Sequence, residues 1–139
     1  MSYMLLIIEP PEQRRTRSQA EGREVYARMQ RFGEGLRAQG KLLAVESLAS
    51  HAGAVRVRQR DGKAQLLDGP FAEAKEMVGG FFLIDCAGLD EAVDIARQCP
   101  AAEWATVEVR ALAPCFDDSL AAGVSTKAQP VESPGAASS

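Results

Sequence analysis

The chain has 139 residues, a formal net charge of −3 and 46% apolar residues. That length suits one domain able to bury its own core. The mild acidity excludes the basic field that gathers nucleic acid or anionic membrane. The cysteines Cys86, Cys99 and Cys115 are odd in number and lack metal-ligand spacing. Cys86 and Cys99 read as small buried hydrophobes, which points to a reducing compartment and a cytoplasmic protein.

Tyr3 to Ile8 is apolar on both faces, as a central strand is. Its apolar run is too short for a signal peptide or a membrane span, and Glu9 and Pro10 end it. A polar stretch from Pro10 to Glu24 holds a loop and the start of a helix, with Arg14, Arg15 and Arg17 in an exposed basic cluster. Val25, Met29, Phe32 and Leu36 form a helical stripe, and Gly40 is placed to cap it.

Lys41 to Leu48 reads as a second strand. Ala54 to Arg60 alternates, with Val55 and Val57 on one side and Arg56, Arg58 and Arg60 on the other. Asp61-Gly62 is a hairpin turn, and Ala64 to Leu67 is the returning strand. Asp68-Gly69-Pro70 is another turn. Val78 to Cys86 is a strand whose Gly79 and Gly80 suggest a bulge or a close backbone approach. Leu89, Ala92, Val93 and Ala96 make a helix that Pro100 stops, and Ala105 to Leu112 is the last strand.

Beyond Cys115, Ser, Ala, Gly and Pro dominate. Residues 116–139 are therefore expected to be a disordered tail on a domain of residues 1–115. The element order is strand, helix, strand, hairpin, strand, helix, strand. It describes an α+β, ferredoxin-like split βαβ fold with an inserted β-hairpin and both helices on one sheet face. The other face then needs cover. A second copy packed sheet to sheet, a homodimer, is the expected partner.

The segment Asp68-Gly69-Pro70-Phe71-Ala72-Glu73-Ala74-Lys75-Glu76 closely resembles the signature of the DGPF family, a branch of the YCII-related proteins, with Ala74 where Thr is common. Gly79-Gly80-Phe81-Phe82 and the opening Tyr3 to Ile7 are similar to the same family. The resemblance covers roughly residues 3–112. It implies a ferredoxin-like fold that dimerises into an α+β barrel. Members of the wider group include a dehydrochlorinase-like enzyme and lactone isomerases. DGPF proteins are also encoded beside sigma factors of the extracytoplasmic-function type.

The signature loop is the first candidate site. Asp68 could act as a general acid or base, with Lys75 stabilising an enolate-like oxygen. The reading that asks least of the residues is a structural turn, with Asp68 capping it, Phe71 anchoring it in the core, and Glu73, Lys75 and Glu76 pairing on the surface. His51, the single histidine, suits proton transfer near neutrality and sits in a polar link. Glu46, at the end of a strand, and Arg56, on a strand face, are candidate ligand contacts, with Phe71, Glu73 and Glu76 beside them. Trp104 covers a sheet end or walls a pocket.

No metal site is expected, because no histidine lies near the carboxylates of the loop, and no motif announces a cofactor. Two functions fit. One is a cofactor-independent lyase or isomerase acting on a small carbonyl or phenolic metabolite through Asp68, Lys75 and His51. The other is a non-catalytic module that binds a small ligand or a protein in a regulatory context.

Overall fold

The computed structural model describes residues 1–116. The expected tail lies, past Phe116, outside the described residues. In chain order the elements are β1 (Ser2–Glu9), α1 (Gln19–Ala38), β2 (Leu42–Ser47), β3 (Val55–Arg60), β4 (Lys63–Asp68), β5 (Met77–Asp85), α2 (Leu89–Gln98) and β6 (Thr106–Ala111). Short 3-10 turns occupy Gln13–Thr16, His51–Gly53 and Pro100–Glu103.

β1 is central, as its two apolar faces predict. It pairs antiparallel with β5 on one side and β6 on the other. β2 adds outside β5, so the sheet order is β2-β5-β1-β6. That is the ferredoxin-like arrangement, with the β3–β4 hairpin inserted between its halves.

Period-two alternation sorts β1 into two rows. Tyr3, Leu5, Ile7 and Glu9 are buried, and Ser2, Met4, Leu6 and Ile8 are half-covered. The buried row joins Phe82 and Ile84 of β5 in one core with Leu36 of α1 and Ala92, Ile95 and Ala96 of α2. Leu5 and Ile84 are fully buried, and each such side chain contributes about 1.5–3 kcal/mol. Both helices therefore cover one face. On the other face Met4 lies beside Leu83 and Leu6 beside Phe81.

The ends of α1 are set locally. Ser18 and Glu21 form a reciprocal capping box, which starts the helix six residues before the apolar stripe becomes visible at Val25. At the other end Lys41 N–H donates to Leu36 O at 2.9 Å and Gly40 N–H to Arg37 O at 2.9 Å, a Schellman closure around Gly40.

The hairpin has the expected Asp61-Gly62 turn, with positive φ at both residues, and pairs Val55 with Asp68 and Arg60 with Lys63. The Val55 and Val57 face is not buried. Val57 is 65% exposed and Leu66 opposite it 67%. The pair of strands forms its own two-stranded sheet, and every residue in it is exposed.

Candidate functional site

Glu9 is the single buried charged residue among the described residues. Alternation along β1 carries its side chain to the helix-covered face, below Ile7. A carboxylate taken from water there needs a partner. Arg14, in the first 3-10 turn, supplies it through two bonds, Nε to Oε2 at 2.9 Å and Nη2 to Oε1 at 3.1 Å. Such a fork-to-carboxylate pair is strong and fixes the guanidinium plane. Arg14 also donates to Leu48 O from Nη1 at 2.7 Å and to Gly79 O from Nη2 at 3.2 Å. One side chain thus ties together the ends of β1 and β2 and the start of β5.

Space for this pair comes from the sequence Gly79-Gly80. The register of β1 against β5 slips between Ile7 and Ile8, leaving Gly79 as a bulge. A Cβ on Gly79 would collide with Glu9 Oε1, and one on Gly80 would come within 2.7 Å of Glu46 O. Both expectations for this dipeptide, bulge and close approach, hold.

Beside the pair, a cleft of about 870 Å³ runs between α1 and the β2 side of the sheet. Ile7, Met29, Val45 and Phe82 give it an apolar floor, and Tyr26 and Trp104 edge it. Two guanidinium groups lie over the Trp104 ring, Arg28 at 5.3 Å and Arg17 at 5.8 Å from its centroid. Arg28 is itself paired to Glu103 by bonds of 3.1 and 2.6 Å. That pairing holds the Glu103 carboxyl below the usual carboxylate range and raises Arg28. The basic cluster expected as an exposed loop is therefore split. Arg15 pairs with Glu12 on the surface, while Arg14 and Arg17 turn towards the cleft.

The signature loop forms a second cluster at the base of the hairpin. Phe71 is 5% exposed. The His51 ring meets it edge-on at 5.5 Å, and the Arg56 guanidinium lies over it at 3.7 Å. Glu73 reaches Arg56 at 3.9 Å. Gly69 N–H donates to Ala54 O at 2.7 Å, and a Cβ on Gly69 would overlap His51 O. Five of the sequence candidates, His51, Arg56, Asp68, Phe71 and Glu73, are therefore brought to one place.

Asp68 closes β4 opposite Val55. It is exposed, and its carboxylate bonds to no other described residue. Lys75 and Glu76 are exposed on the following stretch. Glu46 is exposed and, by alternation with Val45, belongs with Phe81 on the face away from α1.

The sequence reading missed Glu9 and Arg14. Glu9 looked like a strand stop, yet it continues the odd-numbered row Tyr3, Leu5, Ile7, and that signal was available. Nothing local marked Arg14, whose partners lie at Glu9, Leu48 and Gly79. Elsewhere, burial pushes the Cys99 thiol up to about 11 and raises Cys86. Among the described residues no group of His, Cys, Asp and Glu gathers as a metal site, and no helix is long and apolar enough to cross a membrane.

Comparison with known proteins places these features. The YCII-related domain matches residues 1–115. The chain belongs to the YCII-related family. The uncharacterized protein R00369 of Rhizobium meliloti (strain 1021) is 49% identical over 76 residues, which cover 53% of this chain and 61% of that relative. The chain thus spans less than two thirds of the relative's length. The YCII-related match takes in the whole four-stranded sheet, the cleft and the signature loop.

Proposed function

We propose that this YCII-family chain binds a small organic molecule in the cleft between α1 and the β2 side of the sheet. The observation that carries this is the cleft itself. It has a ligand-sized volume and an apolar floor, and its lining includes the buried Glu9 held by two hydrogen bonds from half-buried Arg14. A concave apolar site with a few fixed polar groups is the usual form of a small-molecule pocket. The pair is a positioning element in this reading. Arg14 donates to both Glu9 oxygens and so fixes the carboxylate in place.

Gly22 gives a direct test. It lines the cleft from α1, and a Cβ there meets nothing within 4 Å. Gly22→Leu should fill the cleft and improve helix propensity by several tenths of a kcal/mol or more. Protein-detected NMR titration with small carboxylates, lactones and phenols should show shifts confined to cleft residues in the wild type and none in Gly22→Leu. Shifts that persist in a folded Gly22→Leu would move the site elsewhere.

A second reading is favoured by the signature cluster. His51 and Asp68 stand at the same end of the hairpin, and the Asp68 carboxylate has no protein partner among the described residues. A cofactor-independent lyase or isomerase acting on a small carbonyl or phenolic compound would use them as acid and base, with Lys75 assisting. The apolar row Met4, Leu6, Phe81 and Leu83 supports a homodimer that covers the open sheet face. Sedimentation equilibrium on the purified chain tests that part independently.

A further inference from the structure

We infer that the cleft takes an anion with an apolar body, a carboxylate on a ring or short chain, and that Arg17 and Arg23 recognise its charge; this rests on the cleft being the ligand site. Charge along the cleft is only partly neutralised within the protein. The cleft's cationic side chains are Arg14, Arg17, Arg23 and Arg37. Arg14 is committed to Glu9 and two carbonyls, with four of its N–H groups used. Arg37 is paired with Glu34 at 3.5 Å. Of the cleft carboxylates, Glu9 and Glu34 are thereby neutralised, and the Glu46 side chain belongs by alternation to the opposite sheet face.

Arg17 and Arg23 remain. Neither has an acidic partner within 4 Å among the described residues. Arg17 is half-buried, with its guanidinium over the Trp104 ring at 5.8 Å from the centroid, a cation–π contact that favours one placement of the charge. The floor below these cations is apolar, and Tyr26 and Leu48, 54% and 43% exposed, offer apolar surface at the rim. Two uncommitted cations over an apolar floor match a ligand whose charge sits at one end. A neutral molecule would leave them unused, and a bare inorganic anion would leave the floor wet.

The experiment titrates the full chain with phenylacetate, with phenylacetamide and with inorganic phosphate, following backbone NMR shifts, on wild type, Arg17→Gln, Arg17→Lys, Arg23→Gln and Gly22→Leu. Phenylacetate should bind the wild type at least 10-fold more tightly than the amide, and more weakly as salt rises. Arg17→Gln and Arg23→Gln should each weaken phenylacetate by about 10-fold and leave the amide unchanged, and Arg17→Lys should recover part of the loss.

Equal binding of acid and amide, both blocked by Gly22→Leu, would overturn the anion assignment and keep the cleft. Phosphate binding as tightly as phenylacetate would overturn the apolar body. Shifts that ignore Gly22→Leu, or no shifts with either aromatic probe, would remove the cleft as the site, and the inference with it.

Discussion

Gly79 is shaped by Glu9: a methyl group on the glycine would stand where Glu9 Oε1 now meets Arg14. The bulge, the missing side chain and the buried carboxylate are one construction. Gly79→Ala is therefore expected to destabilise the chain by about 1–3 kcal/mol, the usual range for overpacking a filled site. Arg14→Ala, which strands a buried carboxylate, is expected to lose about 3 kcal/mol. In denaturant unfolding the effect of Gly79→Ala should shrink in a Glu9→Ala background. Strict additivity of the two changes would show that the glycine is there for another reason.

Phe71 and Asp68 belong to one signature but should behave oppositely. Phe71 is buried between His51 and Arg56. Phe71→Ala should lose about 3–5 kcal/mol and deprotect the β3–β4 amides in hydrogen exchange. Asp68→Ala removes an exposed carboxylate with no partner among the described residues and should stay within about 0.5 kcal/mol of wild type. If Asp68→Ala abolishes a ligand response or a turnover without moving the melting temperature, the acid–base reading gains its residue.

The Arg28–Glu103 pair gives the chain an acid-side dependence. Glu103 is held below the usual carboxylate range, chiefly by its hydrogen bonds from Arg28. A depressed carboxylate contributes stability that is present above its unfolded pKa, about 4.3, and is lost as pH falls through the folded value. Melting curves should therefore show wild type above Glu103→Gln at pH 6, with the gap closing below pH ~4. A gap that persists at pH ~3 would mean that the pair acts through packing on Trp104 rather than through charge.

Cys99 gives the opposite sign. Its thiol is pushed up to about 11 by burial, from an ordinary value of 9.0. A raised group contributes stability that is complete below its unfolded pKa and is lost as pH climbs through the folded one. Between those values the wild type should lose melting temperature more steeply than Cys99→Ala. At neutral pH a thiol reagent should modify exposed Cys115 first and buried Cys86 and Cys99 only on unfolding.

Much of the architecture was legible because it rests on local signals. A run apolar on both faces marked β1, alternation marked β6, the 3.6-residue stripe marked α1 and α2, and Asp61-Gly62 marked the hairpin. The start of α1 was hidden, since a capping box at Ser18 and Glu21 carries no apolar period. The cleft was hidden for a stronger reason. Arg14 and Gly79 are 65 residues apart and Gln13 and Trp104 are 91 apart, and no local pattern joins them. The signature loop, by contrast, was found as a motif. Its packing role comes from Phe71, which the sequence had already marked as the anchor.

The hairpin has a practical consequence. Its Asp61-Gly62 tip stands clear, with every residue of both strands open to solvent, and the anchoring is at the other end, around Phe71. An epitope or a short fluorescent-labelling peptide spliced between Asp61 and Gly62 would extend a ribbon that already projects from the body, and would leave the four-stranded sheet, the cleft and both helices as they are. The tip is a ready-made handle for immobilising this domain with its cleft unobstructed.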